Sequence, residues 1–211
     1  MMEQTDDART WDQRYQEGNH PWNAGRPEPR LTELIGELDI ASGMALDLGC
    51  GYGDNAFWLG REGFEVLGVD IAPTAAGRAR RSALKAGLRN VHFAAASVVE
   101  SLPVPPETVA LALDRGCYHS LTASQRPVMA RCVAEAMKDG GWWLLLCGNI
   151  DQPRSAEEQG PPQLTARDII ESTEPVFELH RLERTRFSGN DGRPTHLAWR
   201  AILRRRGHAD A

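Results

Sequence analysis

The chain has 211 residues, 41% of them hydrophobic, and its 24 Lys and Arg against 29 Asp and Glu give a net charge of -5. That length and apolar content support one domain with one sizeable core and exclude a disordered or fibrous chain, while the negative balance argues against a nucleic-acid substrate. Four cysteines without a C-x-x-C pair, a polar start instead of a signal sequence and no apolar run of about 18 residues give the expectation of a cytoplasmic protein with free thiols and no membrane partner.

Residues 11–18, W-D-Q-R-Y-Q-E-G, and 21–31, P-W-N-A-G-R-P-E-P-R-L, are too aromatic and proline-rich for a disposable leader and read as an N-terminal arm over 1–31 ahead of a core over 40–205. The core opens with a predicted buried strand at 44–48 that runs into glycines. A helix is predicted at 55–62, with Ala56, Phe57, Trp58 and Leu59 as apolar surface and Gly63 as its cap. A strand at 64–69 and an Ala-, Arg- and Lys-rich helix over 73–86, stopped by Gly87, come next. Strands at 91–95 and 108–113 precede a helix over 124–137 with Val128, Met129, Cys132, Val133 and Ala136 on one side, which Gly140-Gly141 is expected to end. The apolar run 142–147 suits a strand covered on both faces, and 165–171 reads as a short helix. Two strands, 176–184 and 196–204, are joined by the turn-rich stretch 188–194, and the basic run Arg204-Arg205-Arg206 reads as a solvated chain end.

Strands alternating with helices imply an α/β, mostly parallel, doubly wound sheet, and the final strand pair implies one antiparallel strand near its edge. Ligands in such sheets bind beyond the carboxyl ends of the strands. The first, second and fourth predicted strands end there in Asp47, Asp70 and Asp114.

Between the first strand and its helix stands D-L-G-C-G-Y-G, with glycines at Gly49, Gly51 and Gly53 that let the backbone approach a ligand closely. A dinucleotide fingerprint needs its third glycine at position 54, where this chain has Asp54, an unfavourable neighbour for pyrophosphate. No Gly-Lys-Ser/Thr follows, which excludes a P-loop. A nucleoside without phosphates, carrying an amino group that Asp47 attracts, fits better. Asp70 falls about 20 residues after the first glycine, the spacing at which a carboxylate grips ribose hydroxyls. The plainer readings are a helix cap for Asp70 and a buried group satisfied by loop amides for Asp47.

With V-L-G-V-D following at 66–70, this motif resembles the nucleotide-binding half of class I S-adenosylmethionine-dependent methyltransferases, and the resemblance extends from Trp11 onward. It implies a Rossmann-like sheet of seven strands and S-adenosyl-L-methionine as cofactor, with S-adenosyl-L-homocysteine as product. It also implies ribose contacts from Asp70 and Ile71, loop contacts from residues 49–53, and an adenine contact from Ser97 or the Val98 backbone. The arm is similar to the lid segment of the small-molecule branch that includes thiopurine, thiol and halide methyltransferases, with W-D-x-x-Y/W and P-W-D-x-G patterns. A sulfonium cation favours aromatic faces such as Tyr15 and Trp22, although large aromatics also simply anchor an arm.

The segment L-D-R-G-C-Y-H-S-L at 113–121 is similar to the D-R segment of thiopurine-type enzymes. Arg115 then pairs with the methionine carboxylate or touches the acceptor, and His119, with Asp114, is the candidate general base; a surface ion pair and a capping histidine are the plainer alternatives. No Asn/Asp-Pro-Pro-aromatic segment of nucleic-acid methylation is present, and the scattered histidines show no metal-ligand spacing. The expected activity is methyl transfer to a small-molecule nucleophile, a thiol or similar soft acceptor, by a monomer or homodimer. The alternative is O- or N-methylation of a hydroxylated heteroaromatic metabolite.

Overall fold

The computed structural model describes residues 8–155 and 161–207. The leading residues 1–7, the end of the expected domain at 208–211 and residues 156–160 lie outside them. In chain order the elements are α1 (Ala8–Gln16), α2 (Pro29–Glu37), β1 (Met44–Leu48), α3 (Asp54–Arg61), β2 (Glu65–Asp70), α4 (Pro73–Lys85) and β3 (Val91–Ala95). They continue with β4 (Val109–Arg115), a 3-10 turn (Tyr118–Ser120), α5 (Arg126–Ala136), β5 (Met137–Gly148), α6 (Ala166–Thr173), β6 (Phe177–Ser188) and β7 (Pro194–Arg205).

The strands form one sheet of order β3-β2-β1-β4-β5-β7-β6, parallel except for β7, which runs antiparallel to both β5 and β6. This is the doubly wound, Rossmann-like sheet implied by the sequence. The order reverses between β1 and β4, so the carboxyl ends of β1, β2 and β4 border one crevice.

Two-residue alternation divides the core between the sheet faces. Leu46, Leu48, Ala112, Trp143 and Leu145 pack with Met129 and Val133 of α5 and Ile169 of α6. Ala45, Leu111, Leu113, Leu144 and Leu146 pack with Leu31, Leu34 and Ile35 of α2 and Ala56 and Leu59 of α3. The central strands β1, β4 and β5 are therefore apolar on both sides, as parallel strands under two helical layers must be.

Three local expectations change. Gly140-Gly141 does not terminate a helix: α5 ends at Ala136 and β5 starts at once, with the glycines in a bulge where the register moves from Val109↔Met137 to Leu111↔Trp142. A Cβ on Gly141 would meet the Val109 carbonyl oxygen at 3.1 Å, so the bulge presses backbone on backbone. The terminal strands are longer than their apolar cores and leave a five-residue turn, 189–193. Arg205 and Arg206 are not a loose basic end, because they donate to the carbonyls of Ala134 and Glu174 at the C-terminal ends of α5 and α6. Among the described residues no helix is long and apolar enough to cross a membrane.

Candidate active site

The loop after β1 carries three glycines with positive φ, +66° at Gly49, +54° at Gly51 and +87° at Gly53. At Gly49 a side chain is sterically impossible without movement, since its Cβ would stand 2.6 Å from the Cβ of Cys117. At Gly53 the same atom would stand 2.7 Å from the Phe93 ring of β3. The glycines thus let the loop sink between the chain that follows β4 and the neighbouring strand.

The three strand-end acids have distinct surroundings. Asp47 is 1% exposed and accepts the Ala56 amide of α3 at 3.0 Å, and burial pushes its pKa up to about 7. It lies beneath the loop and is not among the residues lining the cavity. Asp70 accepts from Gly51 N–H and Ala72 N–H, both at 2.9 Å, and does line the cavity. Burial raises its pKa as well. Asp114 is wholly buried and absent from the lining; it accepts from the amides of Cys117 at 2.9 Å and Tyr118 at 3.1 Å, building the 3-10 turn, and burial pushes its pKa up to about 8.

That turn delivers His119 to the cavity. Its Nδ1 accepts the Gly148 amide at 2.9 Å, and its ring meets Phe187 edge to face. Burial, followed by the charges of Arg115 and Arg154, lowers its pKa to about 3, so the ring is neutral at physiological pH. On the adjoining wall are Ile71 and, beyond β3, Ser97 and Val98; the Ser97 hydroxyl accepts from the Val99 amide at 3.3 Å.

The arm closes the opposite side. Tyr15 accepts a hydrogen bond from the Trp22 indole at 3.1 Å, Trp11 meets Trp22 edge to face, and His20 and Tyr52 complete the aromatic group. Burial raises the Tyr15 phenol well above its ordinary range, which keeps it protonated. Asp12 accepts the Thr74 amide at 2.7 Å and so ties α1 to the start of α4. The cavity enclosed in this way measures about 1000 Å3.

Arg115 lines the cavity, with its guanidinium held by the protein itself. Its Nε donates to Glu28 at 2.9 Å, and its terminal nitrogens donate to the carbonyls of Trp22 at 3.0 Å and Ser188 at 2.9 Å. Glu28 was not singled out from the sequence, yet its side chain is fully buried and also accepts from the amide and hydroxyl of Ser188. The readable signal was a carboxylate directly before Pro29 and the apolar stripe of α2, which is a helix-start pattern. Arg154, Pro161 and Pro162, from the polar stretch 151–163 whose sequence suggests that it borders the acceptor pocket, also line the cavity.

A β3-β2-β1-β4-β5-β7-β6 sheet with a glycine loop at β1 and an acid at the end of β2 defines a class: nucleoside-cofactor transferases of the methyltransferase type. A family model described as a methyltransferase domain matches residues 45–141. The chain is 30% identical over 157 residues to 2-heptyl-1-hydroxyquinolin-4(1H)-one methyltransferase of Mycobacteroides abscessus, covering 71% of this chain and 66% of that protein. It is 29% identical over 153 residues to probable thiol methyltransferase 2 of Arabidopsis thaliana, covering 72% and 65%. The match thus spans just under two thirds of the length of these two relatives. Its fold is similar to the crystal structure of Burkholderia thailandensis 1,6-didemethyltoxoflavin-N1-methyltransferase, with a TM-score of 0.72, 19% identity, and coverage of 95% of this chain and 87% of that one. The chain belongs to the class I S-adenosylmethionine-dependent methyltransferases.

Two predictions test this geometry. Glu28→Gln leaves the part-buried Arg115 without its closest counter-charge and is expected to cost about 3 kcal/mol, read from urea denaturation; Glu28→Gln combined with Arg115→Met should recover part of that loss. For pH, a buried acid with a raised pKa binds protons better folded than unfolded, so it lowers stability as pH rises, whereas a histidine with a lowered pKa raises stability up to its ordinary 6.5. Above about 6.5 only the acids act, so stability should fall toward pH 8, and Asp114→Asn should flatten that fall.

Proposed function

We propose that the protein transfers a methyl group from S-adenosylmethionine to a small-molecule nucleophile, a thiol or similar soft acceptor, and releases S-adenosylhomocysteine. The observation that carries this reading is the meeting, in one cavity, of the Asp70 carboxylate, Gly49 of the left-handed glycine loop and the Trp11, Tyr15 and Trp22 rings of the arm, while Gly51 and Gly53 lie outside the lining. Each Asp70 oxygen accepts one amide and keeps a further lone pair for a ribose hydroxyl. Ile71, Ser97 and Val98 offer a half-apolar wall for adenine, with the Ser97 hydroxyl as its polar group.

When bound, S-adenosylmethionine supplies a methyl carbon activated on a sulfonium. Tyr15 and Trp22 line the cavity, where aromatic rings suit such a cation, and the closed arm keeps water from it. Asp47 and Asp114 act from beneath, one setting the loop and the other setting the turn that carries His119. Most of the acceleration then comes from holding acceptor and methyl in line. The free state of all four cysteines agrees with a cytoplasmic setting.

A second reading, O- or N-methylation of a hydroxylated heteroaromatic, is favoured by the 30% identical hydroxyquinolone methyltransferase. Labelled-methyl transfer to thiols, halides, thiopurines and hydroxyquinolones separates the two. Asp70→Ala should weaken S-adenosylhomocysteine binding in calorimetry about 100-fold, from the loss of two charged hydrogen bonds. Unchanged cofactor affinity in that variant, or no methylated product from any of these acceptors, would contradict the proposal.

A further inference from the structure

The exposed positive charge of the chain is concentrated where no run of residues marks it. From Ile71 to Val99 there is no Asp or Glu, yet Arg78, Arg80, Arg81, Lys85 and Arg89 occur there, in a chain whose net charge is -5. The first four stand on α4, Arg89 follows its Gly87 stop, and all of them are exposed. The denser run Arg204-Arg205-Arg206 makes a poorer surface, because Arg205 and Arg206 are tied to helix ends.

Helix geometry gathers these side chains on one face. Ala75, Ala76, Ala79 and Ala83 are buried and set α4 close against the sheet. At about 3.6 residues per turn the opposite side carries Arg81, Leu84 and Lys85, with Arg78 and Arg80 on its flanks. Leu84 is 73% exposed, the most of any large apolar side chain among the described residues, and Arg80, Arg81 and Lys85 lie within about one helical turn of it. The acids of the neighbouring elements are Asp12 and Glu17 at α1, Glu62 and Glu65 at the turn from α3 into β2, and Glu100 beyond β3. Asp12 is engaged with the Thr74 amide, and every ionisable side chain on α4 itself is a cation.

We infer that this face of α4 docks on an anionic lipid surface, with Arg80, Arg81, Lys85 and Arg89 at the headgroups and Leu84 entering the acyl boundary. The outside of a helix is convex and meets a plane without rearrangement. Nucleic-acid phosphates engage the same cations but give an exposed leucine nothing to bury against, whereas a bilayer interface takes both. The surplus of acid on the rest of the chain repels its other faces from such a surface, which favours one orientation. Each cation at the surface raises partitioning about fivefold, and the attraction fades within ~8 Å at physiological salt, so the docking is reversible. The expectation of no membrane partner rested on the lack of a spanning run, which a helix lying on a surface does not require.

Vesicle sedimentation with the full chain tests this. Vesicles of phosphatidylcholine with one third phosphatidylserine are compared with vesicles of phosphatidylcholine alone. The expected result is that the protein sediments with the anionic vesicles and not with the neutral ones, and that high salt releases it. Arg81→Gln with Lys85→Gln should lower the partitioning about twentyfold, and Leu84→Ser about fivefold. Arg81→Lys with Lys85→Arg should preserve it. All three side chains face solvent in the free protein, so the thermal midpoint and the affinity for S-adenosylhomocysteine should stay at their wild-type values in every variant.

No enrichment on anionic over neutral vesicles, or equal partitioning of the paired glutamine variant and the wild type, would overturn the inference. Unchanged partitioning in Leu84→Ser, or tighter binding of single-stranded RNA than of the vesicles, would overturn the choice of lipid. Self-association in place of vesicle binding, abolished by the same glutamine pair, would assign the face to a second copy and overturn it too. A chain that docks on the vesicles but does not bind S-adenosylhomocysteine would leave this inference standing and sink the function proposed above.

Discussion

The arm is part of the site because Glu28 and Arg115 are buried together. The two residues come from segments 87 positions apart, and their contact also draws in the Trp22 carbonyl, the end of β6 at Ser188 and, through the Glu28 amide at 2.9 Å, Asn55 of α3. A carboxylate with no exposed side-chain surface is tolerable only with its counter-charge and a full set of donors. Four chain segments must therefore be in place at once, and the aromatic group that covers the glycine loop is assembled with them. The ion pair contributes position more than net stability, because its attraction is largely offset by desolvation.

The same logic separates three aspartates that occupy equivalent strand ends. Asp47 and Asp114 sit where the following backbone turns over them, so their oxygens face amides and shape a loop and a turn. Asp70 sits where the chain bends away toward α4, and its two amide contacts leave the carboxylate on the cavity wall. Position at a strand end is shared by all three. What differs is the path of the next few residues, which decides between a group that builds the site and one that faces a ligand.

That distinction also marks how far the sequence was legible. β1 and β3 match their predicted bounds because each apolar run is enclosed by glycine or turn residues. The sheet with its one antiparallel strand followed from the alternation of periods and the turn-rich stretch before β7. α1 was missed because Tyr15 is its only buried residue, so it has no apolar stripe to show. α2 did carry Leu31, Leu34 and Ile35 behind Pro29, a pattern divided between the end of the arm at 31 and the unassigned residues before the core at 40. Gly140-Gly141 misled because glycine serves a helix stop and a strand bulge equally well. The positions of Asp70, His119, Tyr15 and Trp22 at the cavity followed from motif, whereas the Glu28 contact depends on long-range packing that no local pattern encodes.

The central claim is that cofactor site and arm form one closed unit. Amide hydrogen exchange with and without S-adenosylhomocysteine tests it most directly. The account predicts that the ligand slows exchange both at the glycine loop, residues 49–53, and across the arm, residues 11–28, by similar factors. Protection confined to the loop, with the arm exchanging as fast as in the free protein, would contradict it.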